Sequence, residues 1–128
     1  MREESVSIYF VEPTTTRLDL GQDDDGQPMW IEVKTELNYG EQQELAGLAL
    51  RLQKTDLGSD AAPSVEMDWA AYGLAKLKTW IVDWSFTDAQ GKPVKVSRES
   101  VQRLRPWLAQ ACEKAIDEHA KSLETAKN

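Results

Sequence analysis

The sequence predicts an α+β fold, mainly helical, in which an N-terminal β-hairpin or small antiparallel sheet packs on a bundle of three to four helices. Three observations predict it. Apolar and polar residues alternate as far as Lys34, apolar residues recur at helical spacing from Leu45 onward, and the inferred strands are too few for a self-sufficient sheet. With 128 residues, 41% of them apolar, and five tryptophans, the chain has material for one core. Residues 1–128 are therefore read as one domain, with 1–38 as the hairpin layer and 39–123 as the helical part.

Val6, Ile8 and Phe10 alternate with Ser5, Ser7 and Tyr9, the period-two pattern of a strand with one buried face, and Pro13 ends it. A second alternating run begins at Arg17-Leu18-Asp19-Leu20. It passes through the polar stretch Gly21 to Pro28 into Met29-Trp30-Ile31-Glu32-Val33-Lys34, which reads as a hairpin with a long, flexible tip. Leu18, Leu20, Met29, Ile31 and Val33 form its predicted inner face. Trp30, Glu32 and Lys34 project from the other side, so Trp30 is expected to be half exposed or covered by a neighbour.

Leu45, Leu48, Ala49 and Leu52 sit at the spacing of an amphipathic helix, expected over about 41–54. Gly58, Ser59, Asp60 and Pro63 give 55–64 the chemistry of a mobile loop. The longest helix is expected from about Val65 to Trp84, because Ala70, Leu74, Leu77, Ile81 and Trp84 step by four and three. Asp88-Ala89-Gln90-Gly91 is a tight turn in which Gly91 supplies a positive φ, and Pro93 blocks helical continuation. Ser97 suits the N-cap of a short helix through Leu104. Pro106 suits the first turn of a last helix carrying Leu108, Ala111, Cys112, Ala115, Ile116 and His119, with 124–128 a frayed tail.

The net charge of −7 is unevenly spread: residues 1–64 carry 5 basic and 13 acidic side chains, residues 65–128 carry 10 and 9. An acidic field repels phosphate backbones and anionic lipid, which disfavours nucleic acid and membrane as partners. No run of ~18 apolar residues occurs and the N-terminus lacks an apolar leader, so a soluble protein of the host cytoplasm is expected. The single cysteine, Cys112, has no partner for an internal disulfide, and no Cys/His zinc spacing occurs.

Little in the sequence looks catalytic. The only histidine, His119, lies seven positions after Cys112 on one helix face, hence about 10 Å away at ~1.5 Å per residue, too far for a catalytic pair. Asp23-Asp24-Asp25-Gly26 invites a calcium reading, yet the next carboxylate, Glu32, falls on the opposite strand, and a solvated hairpin tip is preferred. Asp83, Ser85, Thr87 and Asp88 bunch their oxygens at an element end, where capping explains them better than a site does. No phosphate-binding glycine motif occurs. The expectation is a non-enzyme with no catalytic residue, no metal and no cofactor.

Binding residues are sought among aromatics and bases instead. Trp80, Trp84 and Phe86 form an aromatic cluster that core packing explains. Trp30 and Trp69 lie opposite the apolar stripe of their elements, and exposed aromatics are favoured interface anchors. Lys92, Lys95, Arg98, Arg103 and Arg105 are the one basic concentration, read first as a solvated face, next as a contact for a protein or for the acidic half of a second copy, and last as a contact for nucleic acid. Trp30, Trp69, Lys92, Lys95 and Arg98 are the candidate partner-binding residues.

One segment, Trp80-Ile81-Val82-Asp83-Trp84-Ser85-Phe86-Thr87-Asp88-Ala89-Gln90-Gly91-Lys92-Pro93-Val94-Lys95-Val96-Ser97, resembles a stretch of the tail assembly chaperones of long-tailed, siphovirus-like bacteriophages. There a helix ends in an Asp-Trp-Ser/Asn-aromatic-Thr-Asp run, followed by an Asp-Gly-Lys-Pro-like turn and a Ser-capped helix. The Trp-Ile-Glu-Val-Lys strand and Glu36-Leu37-Asn38-Tyr39-Gly40-Glu41 are similar as well, so the resemblance spans about residues 16–110. Ala89-Gln90 departs from it, since an acidic residue often precedes the glycine. Trp80, Asp83, Trp84, Phe86, Asp88, Gly91 and Pro93 are the motif residues. The resemblance implies a protein that binds the tape measure protein, or other tail proteins, during tail morphogenesis. The alternatives are a structural virion component, such as a head-completion, head-tail connector or tail-tube-associated protein, and an acidic inhibitor of a host enzyme.

Overall fold

The computed structural model describes residues 8–53, 64–67 and 69–126, with side chains described over 8–48 and 71–125. Strands β1 (Thr15–Gln22) and β2 (Pro28–Lys34) pair antiparallel as the hairpin whose alternation predicts it, Leu18 facing Ile31 and Thr16 facing Val33 in register. Ile31 and Val33 are fully buried, and Leu18 and Leu20 pack against the same core. The tip is held by its own polar groups. Asp23 accepts the amide N–H of Asp25 and of Gln27 through Oδ1, each at 2.9 Å, and Gly26 takes a φ of 78°.

The first predicted strand is corrected over its described part. Residues 8–10 form bends, and Ile8, Tyr9 and Phe10 are at least 78% exposed; no inward face exists for their alternation to bury. Its earlier residues lie outside the described ones.

Helix α1 (Tyr39–Ala49) starts earlier than its apolar stripe suggests. A reciprocal cap sets its start: Asn38 Oδ1 accepts the Glu41 amide at 2.8 Å, while a Glu41 carboxylate oxygen accepts the Asn38 amide at 3.1 Å. It also ends earlier, passing at Leu50 into β3 (Leu50–Gln53), which pairs antiparallel with β4 (Ser64–Met67) as a separate two-stranded sheet. The loop predicted over 55–64 therefore gives way to strand at Ser64; residues 54–63 lie outside the described ones.

The long helix expected from Val65 to Trp84 is three elements: β4, then α2 (Trp69–Trp80), then β5 (Ile81–Trp84). Strand β5 adds to the hairpin as a third strand beside β2, giving the order β1-β2-β5. Its pairing carries an irregularity: Glu32 faces Asp83 but Val33 faces Ile81, so Val82 is the extra residue of a bulge. The bulge explains why these residues carry a helical spacing. Ile81 and Trp84, three positions apart as on a helix, are both buried in a strand because the extra residue restores them to one face.

Beyond β5 the local signals hold. Asp88 Oδ1 accepts the amides of Gln90 at 2.9 Å and Lys92 at 3.0 Å, and Gly91 has φ 77°. Ser97 caps α3 (Arg98–Gln102), its Oγ accepting the Ser100 amide at 3.1 Å. Pro106 opens α4 (Pro106–Ala126), a 21-residue helix about 30 Å long that stays helical through Ala126, where fraying was expected. Cys112 and Ile116 on α4 are fully buried and share one core with Ile31, Val33, Leu37, Leu45, Leu77, Trp80, Ile81, Trp84 and Val101. The fold is thus α+β, with a small antiparallel sheet and helices.

Candidate partner-binding surface

Both side chains with ordinary catalytic chemistry have structural employment. Burial pushes the Cys112 thiol up to about 12 from its ordinary 9.0, with the Glu113 carboxylate adding to the shift, so it stays protonated and weakly nucleophilic at neutral pH. His119 Nε2 lies 2.8 Å from the Thr35 carbonyl oxygen, and its ring meets Trp80 edge-on at 5.8 Å between centroids. It ties α4 to the end of β2.

The motif residues likewise serve the fold. Trp84 donates from Nε1 to the Val94 carbonyl at 2.6 Å and stacks at a tilt on Phe86, centroids 5.1 Å apart. Ser85 Oγ accepts the Trp30 amide at 2.9 Å, extending the ladder between β2 and β5. The Asp83 carboxylate accepts the amide of Trp84, and Thr87 bridges to Pro93 across the turn. The bunched oxygens of Asp83, Ser85 and Asp88 are thus spent on backbone amides. No group of three or more His, Cys, Asp or Glu that could hold a metal occurs among the described residues.

The candidate partner-binding residues fare unequally. Trp30 is half-buried on the solvent side of the sheet, with the Arg17 guanidinium 3.6 Å above its ring. It is the covered aromatic that its position opposite the apolar stripe allows. Arg17 also reaches Glu32 at 3.9 Å. Lys92 and Lys95 are exposed around the Asp88 turn, and Arg98 is exposed at the start of α3. Arg98 borders a cleft of about 400 Å³ with Lys34, Glu41, Leu48, Leu74 and Lys78, where charges of both signs alternate. Within that cleft Lys34 and Glu41 form an ion pair. Burial alone would raise the Glu41 carboxyl; the Lys34 ammonium and the Asn38 amide together outweigh it and leave its pKa lowered. Trp69 opens α2, and its side chain lies outside the described residues.

A second groove is not legible in the sequence. Helices α1 and α4 each pack on α2, and a groove of about 510 Å³ lies between them. Its apolar lining comes from Leu37, Leu45 and Ala46 on the α1 side, Tyr72 and Trp80 on α2, and Ile116, Ala120 and Leu123 on α4. Glu36, Gln42, Asp117 and Glu124 line it as well, and Leu37, Leu45, Trp80 and Ile116 are themselves buried. Lys76, only 8% exposed, is its single cation and is already engaged by Asp117 at 2.8 Å and Glu113 at 3.7 Å. The signal available for this groove was the continuation of the α4 stripe past His119 to Leu123, with Asp117 and Glu124 one heptad apart beside it.

No family model, curated protein or solved structure matches the chain. No helix among the described residues is long and apolar enough to cross a membrane.

Proposed function

We propose that this chain is a non-catalytic tail assembly chaperone of a long-tailed bacteriophage, which binds the tape measure protein during tail morphogenesis in the host cytoplasm. The observation that carries the reading is an open groove of mixed polar and apolar lining between α1 and α4, in a protein whose one histidine and one cysteine are spent on its own fold. Grooves between helices are a recurring place for helical partners to lie. The resemblance over residues 16–110 supports the same role from the sequence side, and the acidic balance suits a partner that is neither nucleic acid nor membrane.

Co-expression with the tail proteins of the same phage, followed by affinity pull-down and mass spectrometry, tests it. A soluble complex with the tape measure protein is expected. Capture of none of the tail proteins would overturn the reading. The alternative, a permanent virion component, draws on the exposed run Ile8-Tyr9-Phe10 ahead of β1, and it predicts the chain in purified particles.

A further inference from the structure

We propose that the outer edge of β1 binds a second copy of this chain: the two β1 strands pair antiparallel about Leu18 and join both three-stranded sheets into one. The proposal is independent of the chaperone reading. It stands on the hydrogen-bond pattern of the hairpin and on the placing of Arg17 and Asp19 along that edge.

The ladder fixes which groups face outward. β1 comes first in the order β1-β2-β5, so its strand partner lies on one side only. The Thr35 amide donates to the Thr14 carbonyl at 2.9 Å, and the same register makes Thr16 with Val33 and Leu18 with Ile31 the hydrogen-bonded pairs. The residues between them, Arg17 opposite Glu32 and Asp19 opposite Trp30, therefore turn their N–H and C=O away from β2. Trp30 agrees, since its own amide and carbonyl are bonded to Ser85 on the far side of β2. An outward row of this kind is a template for another strand.

Charge complementarity selects the partner and the register. Only registers that set outward groups opposite outward ones can bond, so a two-fold pairing centres on Arg17, Leu18 or Asp19. Centring on Arg17 or on Asp19 sets like charges face to face, which is destabilising. Centring on Leu18 sets Arg17 of each copy opposite Asp19 of the other, and each such pair exchanges both of its main-chain hydrogen bonds. Leu18, partly buried on the core side, then meets its own copy at the closest approach of the ladder. Both charged side chains are available: that of Arg17 is 59% exposed beside Trp30, and Asp19 holds the Gly21 amide through Oδ1 alone. The irregularity at Leu20, where Gly21 takes a φ of 99°, bends β1 out of the pairing beyond Asp19. The sheet's other edge, β5, has only four residues and is itself bulged, so assembly stops at two copies.

The intact chain provides the test. Amide hydrogen exchange read by NMR should find the Arg17 and Asp19 amides exchanging fast in dilute solution and slowing as the chain is concentrated, while the Leu18 amide, bonded within the hairpin, changes little. Sedimentation over about 5–500 µM, the range a small interface calls for, should show a monomer–dimer equilibrium. Arg17→Asp should weaken the dimer about tenfold, because both attractive pairs become repulsive, and Asp19→Arg should do the same. The exchange R17D/D19R restores opposite charges across each pair and should return dimerisation to within about threefold of the wild type. Asp25→Lys, at the hairpin tip outside the pairing, should leave it unchanged. Circular dichroism checks that each variant is folded, and the exchange experiment decides the matter without any variant. A monomer at every concentration overturns the proposal, as does a dimer that ignores Arg17→Asp or that R17D/D19R fails to restore. Protection of the Arg17 and Asp19 amides at all concentrations alike would mean that the chain covers this edge itself, and overturns it too. Pull-down of the tape measure protein bears on the chaperone reading alone, so either can fail while the other stands.

Discussion

The imidazole of His119 on α4 and the backbone carbonyl of Thr35, just past β2, are joined at 2.8 Å. A carbonyl only accepts, so Nε2 carries the proton and donates it. One bond thus fastens the last helix to the end of the central strand, and Trp80 holds the ring from the side at 5.8 Å.

Two substitutions separate those contacts. His119→Phe keeps a ring against Trp80 but removes the donor, and should lower unfolding stability by about 1 kcal/mol. His119→Ala also loses the edge-to-face contact and should cost roughly 1 kcal/mol more. Urea denaturation followed by tryptophan fluorescence reads both. A His119→Phe variant as stable as the wild type would show that the bond contributes nothing.

Trp84 is the anchor of the segment after β5. Its indole N–H is the donor to the Val94 carbonyl, and the side chain is nearly buried. Trp84→Phe leaves that carbonyl without its donor and should cost about 1–3 kcal/mol. Hydrogen exchange should show faster opening around the Asp88 turn, with α4 little changed.

Cys112 gives a pH-dependent prediction. Its folded-state pKa is raised, so the folded chain holds the thiol proton more tightly than the unfolded chain does. The stability this contributes is complete below 9.0 and is lost as pH rises toward about 12. Relative to Cys112→Ala, in which other alkaline titrations cancel, the wild type should therefore weaken progressively above pH 9. At pH 8 the native thiol should resist a disulfide reagent that labels it rapidly in guanidinium. Fast labelling of the folded protein would contradict its burial.

Gly73 sits on α2 where that helix approaches α4. A Cβ there would come within 3.0 Å of Glu113 Oε1, and the nearest atoms belong to the end of a flexible side chain rather than to backbone. Glu113 can swing aside, since Lys76 keeps its closer partner Asp117. Gly73→Ala should then raise stability by roughly 0.5–1 kcal/mol through helix propensity. Gly73→Phe should lower the melting temperature, because a ring exceeds what a moving carboxylate can vacate.

The sequence by itself determined what is decided within a few residues. The alternation of Leu18, Leu20, Ile31 and Val33 sufficed for the hairpin, and Ser97 and Pro106 for two helix starts. Asp88 and Gly91 were enough for the turn, and the 108-112-116 stripe for the last helix. Each is a local balance of backbone hydrogen bonding and burial that needs no distant partner. Tertiary structure decided the rest. Ile81 and Trp84 carry a helical spacing, and only pairing with β2 through the bulge at Val82 makes them a strand. The β-branched pair Ile81-Val82 was a hint that the spacing overrode. Lys76 appears as a surface lysine until α4 brings Asp117 and Glu113 to it. The groove depends on how far apart α1 and α4 come to rest on α2. Helix separation is fixed by packing among side chains distant in sequence, a many-body outcome that no short window of residues encodes.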